Sequence, residues 1–193
     1  MQVDLFVEDQ HQEAFLSPLV KRVSREAGVQ ASVAIRSARG GHTRALEELR
    51  VFQHAVQRGS LRAPDILIIG RDTNCNGFSA TRGEVQACVD ATIMPRCAIA
   101  CPDPEIERWY MADPESFFRV VGADPDIGSA GYEGDYFKQK LKAAIQAGGH
   151  PSTLHGAEFA LELVEEMDLY RAGRNDSALR HFLDDLRQEL AST

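Results

Sequence analysis

Acidic side chains follow two apolar runs of the chain, at the points where those runs end. Glu8 and Asp9 come directly after the run at residues 2–7, and Asp72 is the second residue after the run ILIIG at Ile66–Gly70. If the two runs are neighbouring strands of a parallel sheet, their carboxyl ends bring these carboxylates together. Mg²⁺ and Mn²⁺ bind oxygen-rich groups of this kind. The pattern therefore predicts a divalent-metal site.

Asn74 lies two residues after Asp72, in the polar loop RDTNCNG. Its side-chain carbonyl would add a metal ligand or orient a metal-bound water. Alternatively, Asp72 and Asn74 would build an Asx turn, in which their side chains bond to nearby backbone groups. The spacing alone does not separate these two interpretations.

The elements that would position these side chains alternate along the first part of the chain. Hydrophobic patterning predicts strands and helices in turn, at residues 2–7, 11–28, 30–37, 43–58, 66–70, 79–92 and 96–101. Such alternation is typical of βαβ units and predicts an α/β fold with a mostly parallel four-stranded sheet flanked by helices.

The pattern beyond residue 104 is helical. It predicts helices at residues 105–121, 136–147, 159–170 and 178–191, with a loop rich in Gly, Asp and Pro before the second of them. We therefore expect a single domain that consists of an α/β core over residues 1–121 and a helical C-terminal portion, residues 122–193, packed on that core.

Composition restricts the classes of protein that the chain can represent. Its 193 residues carry a formal net charge of −8, which argues against a broad basic DNA-coating face but allows a metal-dependent nuclease. No apolar stretch approaches the roughly 20 residues of a membrane span, and no secretory signal pattern is present. Cys75, Cys88, Cys97 and Cys101 lack CxxC spacing. We expect reduced thiols, no zinc and a cytoplasmic location.

The glutamate within VEDQHQEAFL and the aspartate within ILIIGRDTN resemble those of the Toprim fold. This fold is shared by topoisomerases, primases, small recombination nucleases and overcoming-lysogenization-defect nucleases. In it, a first-strand glutamate and a third-strand Asp-x-Asp bind Mg²⁺ for phosphoryl transfer. The resemblance covers most of residues 2–121 and implies that Glu8, Asp72 and Asn74 have these roles here.

The segment IERWYMADPESF is similar to the Glu-x-Trp-hydrophobic-x-Ala-Asp signature of a family of standalone Toprim-like bacterial proteins. The matching residues are Glu107, Trp109, Ala112 and Asp113. Members of that family are often encoded beside an ATPase of the structural-maintenance or ABC type, in anti-phage loci. The resemblance implies such an ATPase as a partner and nucleic acid as the substrate.

Two residues depart from the Toprim pattern. Nucleases of this fold usually carry aspartate where this chain has Asn74, and a neutral amide supplies less charge for a second metal ion. Cleavage with two metals is therefore in doubt. Asp9 replaces the usual glycine after the first-strand glutamate, where it would add a ligand or crowd the phosphate.

Residues of the helical segments have both functional and structural interpretations. Glu107 follows the fourth predicted strand, where it would serve as a further ligand or a base, or would stabilise its helix dipole. Trp109, the only tryptophan, is predicted to pack in the core. Glu107 and Asp113 lie six residues apart, so one continuous helix would direct them differently.

Basic side chains also have two interpretations each. Arg71 adjoins the predicted metal site and would contact a phosphate or remain a surface charge. His42 follows two glycines at a predicted strand-to-helix turn, as an acid or base or as part of a helix cap. Lys138, Lys140 and Lys142 would neutralise phosphate charge or form a solvated helix face.

The leading hypothesis is a Mg²⁺- or Mn²⁺-dependent phosphodiester hydrolase, a nuclease. In it Glu8 and Asp72 hold the metal, Asn74 and Asp9 support it, and Glu107 is a further ligand or base. The rival is a catalytically weak Toprim-like regulatory or interaction subunit of a larger complex, favoured by Asn74 and the acidic charge. A small-molecule or nucleotide phosphohydrolase, with a closed pocket, is the third hypothesis.

Geometry separates the first two hypotheses. Neighbouring Glu8 and Asp72 carboxylates that face an open groove with basic residues favour the nuclease. A buried pair that is salt-bridged to an arginine favours the regulatory subunit, because the arginine would then take the place of the cation.

Overall fold

A computed structural model describes residues 1–37, 42–128 and 135–192, and the side chains of residues 37, 42 and 43 lie outside this description. Strands alternate with helices up to residue 100, and helices follow. In chain order the elements are β1 (Gln2–Val7), α1 (Gln10–Glu26), β2 (Ser32–Ser37), α2 (His42–Gln57), β3 (Ile66–Gly70), α3 (Phe78–Cys88), β4 (Cys97–Ala100), α4 (Glu107–Tyr110), α5 (Pro114–Val121), α6 (Tyr136–Ala147), a 3-10 turn (Ala157–Phe159), α7 (Ala160–Glu166), α8 (Leu169–Asn175) and α9 (Ser177–Ala191).

The strands form one parallel sheet in the order β2-β1-β3-β4. Leu5 of β1 pairs with Ile35 of β2 on one side and with Ile68 of β3 on the other. The two inner strands are almost wholly buried and read as continuous apolar runs, which is typical of a parallel sheet covered on both faces. The predicted α/β class with a mostly parallel four-stranded sheet is confirmed.

Helices cover both faces of the sheet. Because successive side chains of a strand point to opposite faces, Leu5 and Phe6 enter two different cores. Leu5 packs with Leu16 of α1 and with the C-terminal helices. Phe6 packs with Leu49 and Phe52 of α2, and α3 joins the same core. The sheet is thus held between α1 with the C-terminal helices and α2 with α3.

The C-terminal helices share the larger core with the sheet. Helix α9 packs against β4 and α1, and Trp109 of α4 stacks on Phe182 of α9 with ring centroids 5.8 Å apart. Trp109 is fully buried, so it is a core residue, as the sequence predicts. Within the described part of the chain, no helix has the length and apolar character needed to cross a membrane.

Three predicted helices differ in the structure. The helix expected at residues 105–121 is two helices, because the backbone of Asp113 is not helical (φ −117°, ψ 89°) and proline disfavours helical backbone in the residue before it. The helix expected at 159–170 ends at Glu166, and Asp168 then caps α8 by accepting from the backbone of Tyr170 and Arg171. The helix expected at 79–92 ends at Cys88.

Candidate functional site

The strand order places a topological switch point between the carboxyl ends of β1 and β3, and we call this position the crevice. The chain leaves β1 towards β2 and leaves β3 towards β4, so the two connections diverge, and ligands of open α/β sheets bind where this happens. Glu8 is the first residue after β1, and Asp72 is the second residue after β3. The backbone therefore places both predicted ligands at the mouth of one crevice.

A buried glutamine joins the two strand ends. Gln12, in the first turn of α1, accepts a hydrogen bond from the backbone N–H of Glu8 (3.1 Å) and donates one to Asp72 Oδ1 (2.8 Å). The residue that ends β3 must be small, because a Cβ on Gly70 would lie 2.8 Å from Gln12 Oε1. Gln12 thereby fixes the orientation of the Asp72 carboxylate relative to Glu8.

The carboxylates in this crevice resist ionisation. Burial raises the pKa of Glu8 from 4.5 to about 7, with Arg71 opposing the rise and Asp9 adding to it. Asp72 is crowded by protein atoms, and this desolvation, with the charges of Glu107 and Asp9, raises its pKa well above the usual range despite the hydrogen bond from Gln12. The charge of Glu8 acts in the same direction on Asp72. Burial is therefore the largest cause of both rises, and the neighbouring carboxylates add to it.

One oxygen of this group has no hydrogen bond to satisfy it. Glu8 Oε1 is buried and has no hydrogen-bond partner in the parts of the chain that the structure describes. Buried carboxylate oxygens usually have partners, and a divalent cation would satisfy both this oxygen and the charge imbalance. The residues therefore fit a hard cation such as Mg²⁺.

Arginine only partly compensates Glu8. Arg71 Nε lies 3.9 Å from Glu8 Oε1, which is beyond hydrogen-bonding distance. The same guanidinium contacts the exposed Glu84 at 2.8 Å. Arg71 therefore places a positive charge near Glu8, but its shorter contact is with Glu84, which is outside the crevice.

Glu107 lies next to the crevice in an ion-paired cluster. Its carboxylate Oε1 is 2.8 Å from His11 Nδ1 and 3.9 Å from Lys138 Nζ, and its side chain is 2% exposed. Protonated His11 would pair with this carboxylate as a cation. Burial lowers the pKa of His11, but its contact with the Glu107 carboxylate, together with the charge of Asp9, raises the pKa overall. Glu107 therefore contacts two basic side chains, His11 and Lys138. Its negative charge still raises the pKa of Asp72.

Asp9 and Asn74, the predicted supporting residues, lie in different settings. Asp9 caps α1, because its Oδ1 accepts from the backbone N–H of Gln12 at 2.9 Å. Asn74 is exposed, and its own backbone N–H donates to the carbonyl of Pro104. It lines a cavity of about 190 Å³ with Glu105, and no contact within the described residues joins its side chain to Asp72.

Other sequence candidates lie outside the crevice. Asp113 is buried against Arg171, which donates to both of its carboxylate oxygens. Lys140 contacts Asp126 on the surface. The side chain of His42 and the glycines before it lie outside the described residues.

The described side chains include no group of three histidine, cysteine, aspartate or glutamate residues placed to hold one metal ion. Glu8 and Asp72 would therefore share a cation with water, which is usual for Mg²⁺.

Sequence reasoning missed His11 and Gln12. Both lie in the first turn of α1, directly after the Asp9 cap. A helix that follows a parallel strand begins at the carboxyl end of that strand, so its first turn borders the crevice. Polar residues in that turn were the available signal.

Comparisons with protein-family models, with curated proteins and with solved structures found no match. The Toprim-like resemblance therefore stays a prediction, and we infer the function from the geometry of the crevice.

Proposed function

We propose that the chain is a divalent-metal-dependent phosphodiester hydrolase, a nuclease, with its metal held by Glu8 and Asp72. The observation that carries the proposal is a pair of crowded carboxylates at the switch point of the sheet, whose pKa values are raised by burial. One of their oxygens, Glu8 Oε1, has no hydrogen-bond partner among the described residues. Carboxylates in this arrangement are ionised at neutral pH when a divalent cation joins them.

Each residue around the pair has a role in this proposal. Mg²⁺ or Mn²⁺, when bound, supplies a Lewis acid for the phosphate and lowers the pKa of a bound water. Gln12 holds the Asp72 carboxylate in place. Arg71 lies beside Glu8 and would face a substrate phosphate. Glu107 pairs with His11 beside the crevice. Asp9 caps α1 through its Oδ1, and its Oδ2 would be a further acceptor.

The alternative, a regulatory or interaction subunit of a larger complex, is favoured by one observation. Arg71 already places a positive charge 3.9 Å from Glu8 Oε1, and such a charge would take the place of a metal ion. An ATPase partner, as the Toprim-like resemblance implies, fits either function. The two candidates differ in whether the isolated chain binds a divalent cation.

Calorimetric titration of Mg²⁺ and Mn²⁺ at pH 8, where the Glu8 carboxylate is ionised, tests the proposal. The wild type is expected to bind saturably, the Glu8→Gln/Asp72→Asn variant to show no binding, and Glu47→Gln, a change at an exposed glutamate of α2, to match the wild type. A folded wild type that binds neither ion would support the regulatory subunit. Metal-dependent cleavage of plasmid and oligonucleotide DNA, lost in the double variant, then assigns the hydrolase activity.

A further inference from the structure

A basic groove lies between α8 and α9, away from the carboxylate crevice. We define the α8–α9 groove by Tyr170 and Arg174 on α8 and by Arg180 and Arg187 on α9, around a cavity of about 290 Å³. Residues four apart on a helix share a face, and so do residues seven apart, so each helix presents its pair to the same space. The helices approach closely at Gly173, where a Cβ would lie 3.3 Å from the Cβ of Arg180.

The groove is positive in a chain of net charge −8. Its lining includes three arginines and one carboxylate, Asp184, which lies 3.7 Å from Arg187 in an exposed ion pair. Arg174 and Arg180 are exposed and form no ion pair with any described residue. Their guanidinium groups are therefore free to bind an anion, and planar guanidinium groups suit phosphate oxygens.

The accessible apolar surface of the groove is an aromatic ring. Tyr170 is 76% exposed, whereas Leu169 and Leu183 are 6% and 1% exposed and form the floor. Tyr170 and Arg174 also line a second cavity of about 550 Å³, whose other charged residues are Arg171, Glu115 and Asp168, so the positive surface is the α8–α9 groove. An amphipathic peptide needs a stripe of exposed apolar anchors, which this groove does not offer. A flat base needs only one exposed ring.

We propose that the α8–α9 groove binds single-stranded nucleic acid, with a base stacked on Tyr170 and phosphates paired with Arg174 and Arg180. The inference rests on the proposed function, because it names the substrate class of that hydrolase and a surface that holds the strand. A locally positive groove also explains how so acidic a protein would hold a polyanion without a broad basic face.

Fluorescence anisotropy of a labelled single-stranded DNA of about 20 nucleotides, measured in EDTA between about 50 and 200 mM salt, tests this inference. Arg174→Gln/Arg180→Gln is expected to make the slope of log affinity against log salt shallower by about 1.4, because two phosphate contacts are lost. Tyr170→Ala is expected to weaken binding about tenfold at every salt concentration, because it removes a stacking platform.

A matched variant, Arg58→Gln/Arg62→Gln, removes the same charge from exposed arginines after α2 and is expected to leave affinity within about twofold of the wild type. Equal losses in the two double variants would overturn the groove assignment, as would a wild type without saturable binding. If a polyglutamate peptide displaced the probe as well as unlabelled DNA does, the ligand of the groove would be an acidic protein segment and not a nucleic-acid strand. Circular dichroism verifies folding, and Arg180→Gln alone serves if the double variant does not fold.

The same assay separates this inference from the metal site. Glu8→Gln/Asp72→Asn is expected to bind the probe as the wild type does, because EDTA removes any contribution from metal. A wild type that binds DNA but no divalent cation would refute the hydrolase alone, and a wild type that binds the cation but no DNA would refute the groove alone.

Discussion

Replacing Glu8 with glutamine is expected to stabilise the metal-free protein at pH 8. The pKa of Glu8 is about 7 in the folded chain, mainly because of burial, against an ordinary value of 4.5. Between these two values the folded state holds a proton that the unfolded state has released, so the free energy of unfolding falls as the pH rises. The stabilising contribution of Glu8 to the free energy of unfolding is fully present below about pH 4.5 and is lost as the pH rises above about 7.

The size of this effect follows from the difference between the two pKa values. A difference of 2.5 units, from 4.5 to about 7, corresponds to about 3 kcal/mol of unfolding free energy at pH 8. The side chain of Glu8 is only 10% exposed, so solvent screening removes little of it. Glutamine keeps the shape of the side chain and carries no charge. Glu8→Gln should therefore recover up to about 3 kcal/mol at pH 8 and much less at pH 5.

Urea unfolding in EDTA at pH 5 and pH 8 measures the difference. Glu47→Gln, which removes the same charge from an exposed position on α2, is the control and should shift both midpoints equally and slightly. A Glu8→Gln variant that is less stable than the wild type at pH 8, or whose advantage is the same at both pH values, would refute the account of the crevice as an uncompensated carboxylate site.

Adding Mn²⁺ should reverse the order of stabilities. A cation that binds only the folded wild type stabilises it by about 2.7 kcal/mol at a concentration 100 times its Kd. Glu8→Gln lacks one of the two predicted ligands and should gain much less. If both proteins gained equally from Mn²⁺, the ion would be bound elsewhere.

Three further changes probe the surroundings of the crevice and the C-terminal helices. Asp113→Asn should cost about 2 kcal/mol at pH 7 in urea unfolding. Burial raises the pKa of Asp113, but hydrogen bonds from Arg171, Ser116 and the backbone of Asp168 together lower it to about 2. That cost should disappear as the pH falls from about 4 to about 2, and a constant cost would contradict it. Gly70→Ala should cost about 1–3 kcal/mol in thermal unfolding, because its Cβ would lie 2.8 Å from Gln12 Oε1 and from Leu16 Cδ1. Gln12→Leu should weaken Mn²⁺ binding at least about tenfold in calorimetry, and unchanged affinity would exclude a metal at Asp72.

The sequence by itself determined the α/β class, the parallel sheet and the placement of Glu8 and Asp72 after strands. These features follow from local patterns, since apolar runs of strand length, helical periodicity and turn residues are all visible within short windows. The helix boundary at Asp113 also had a local signal in the following proline, which the apolar pattern across residues 105–121 obscured.

Only the tertiary structure decided that β1 and β3 are neighbours, which is the condition for the two carboxylates to share a crevice. Strand order depends on pairings between residues far apart in the chain, and many orders satisfy the same local pattern. The Gln12 link between strand ends and the pairing of His11 with Glu107 depend on the same long-range packing. The α8–α9 groove also required the fold, because two helices that each look amphipathic leave a positive surface only where they meet.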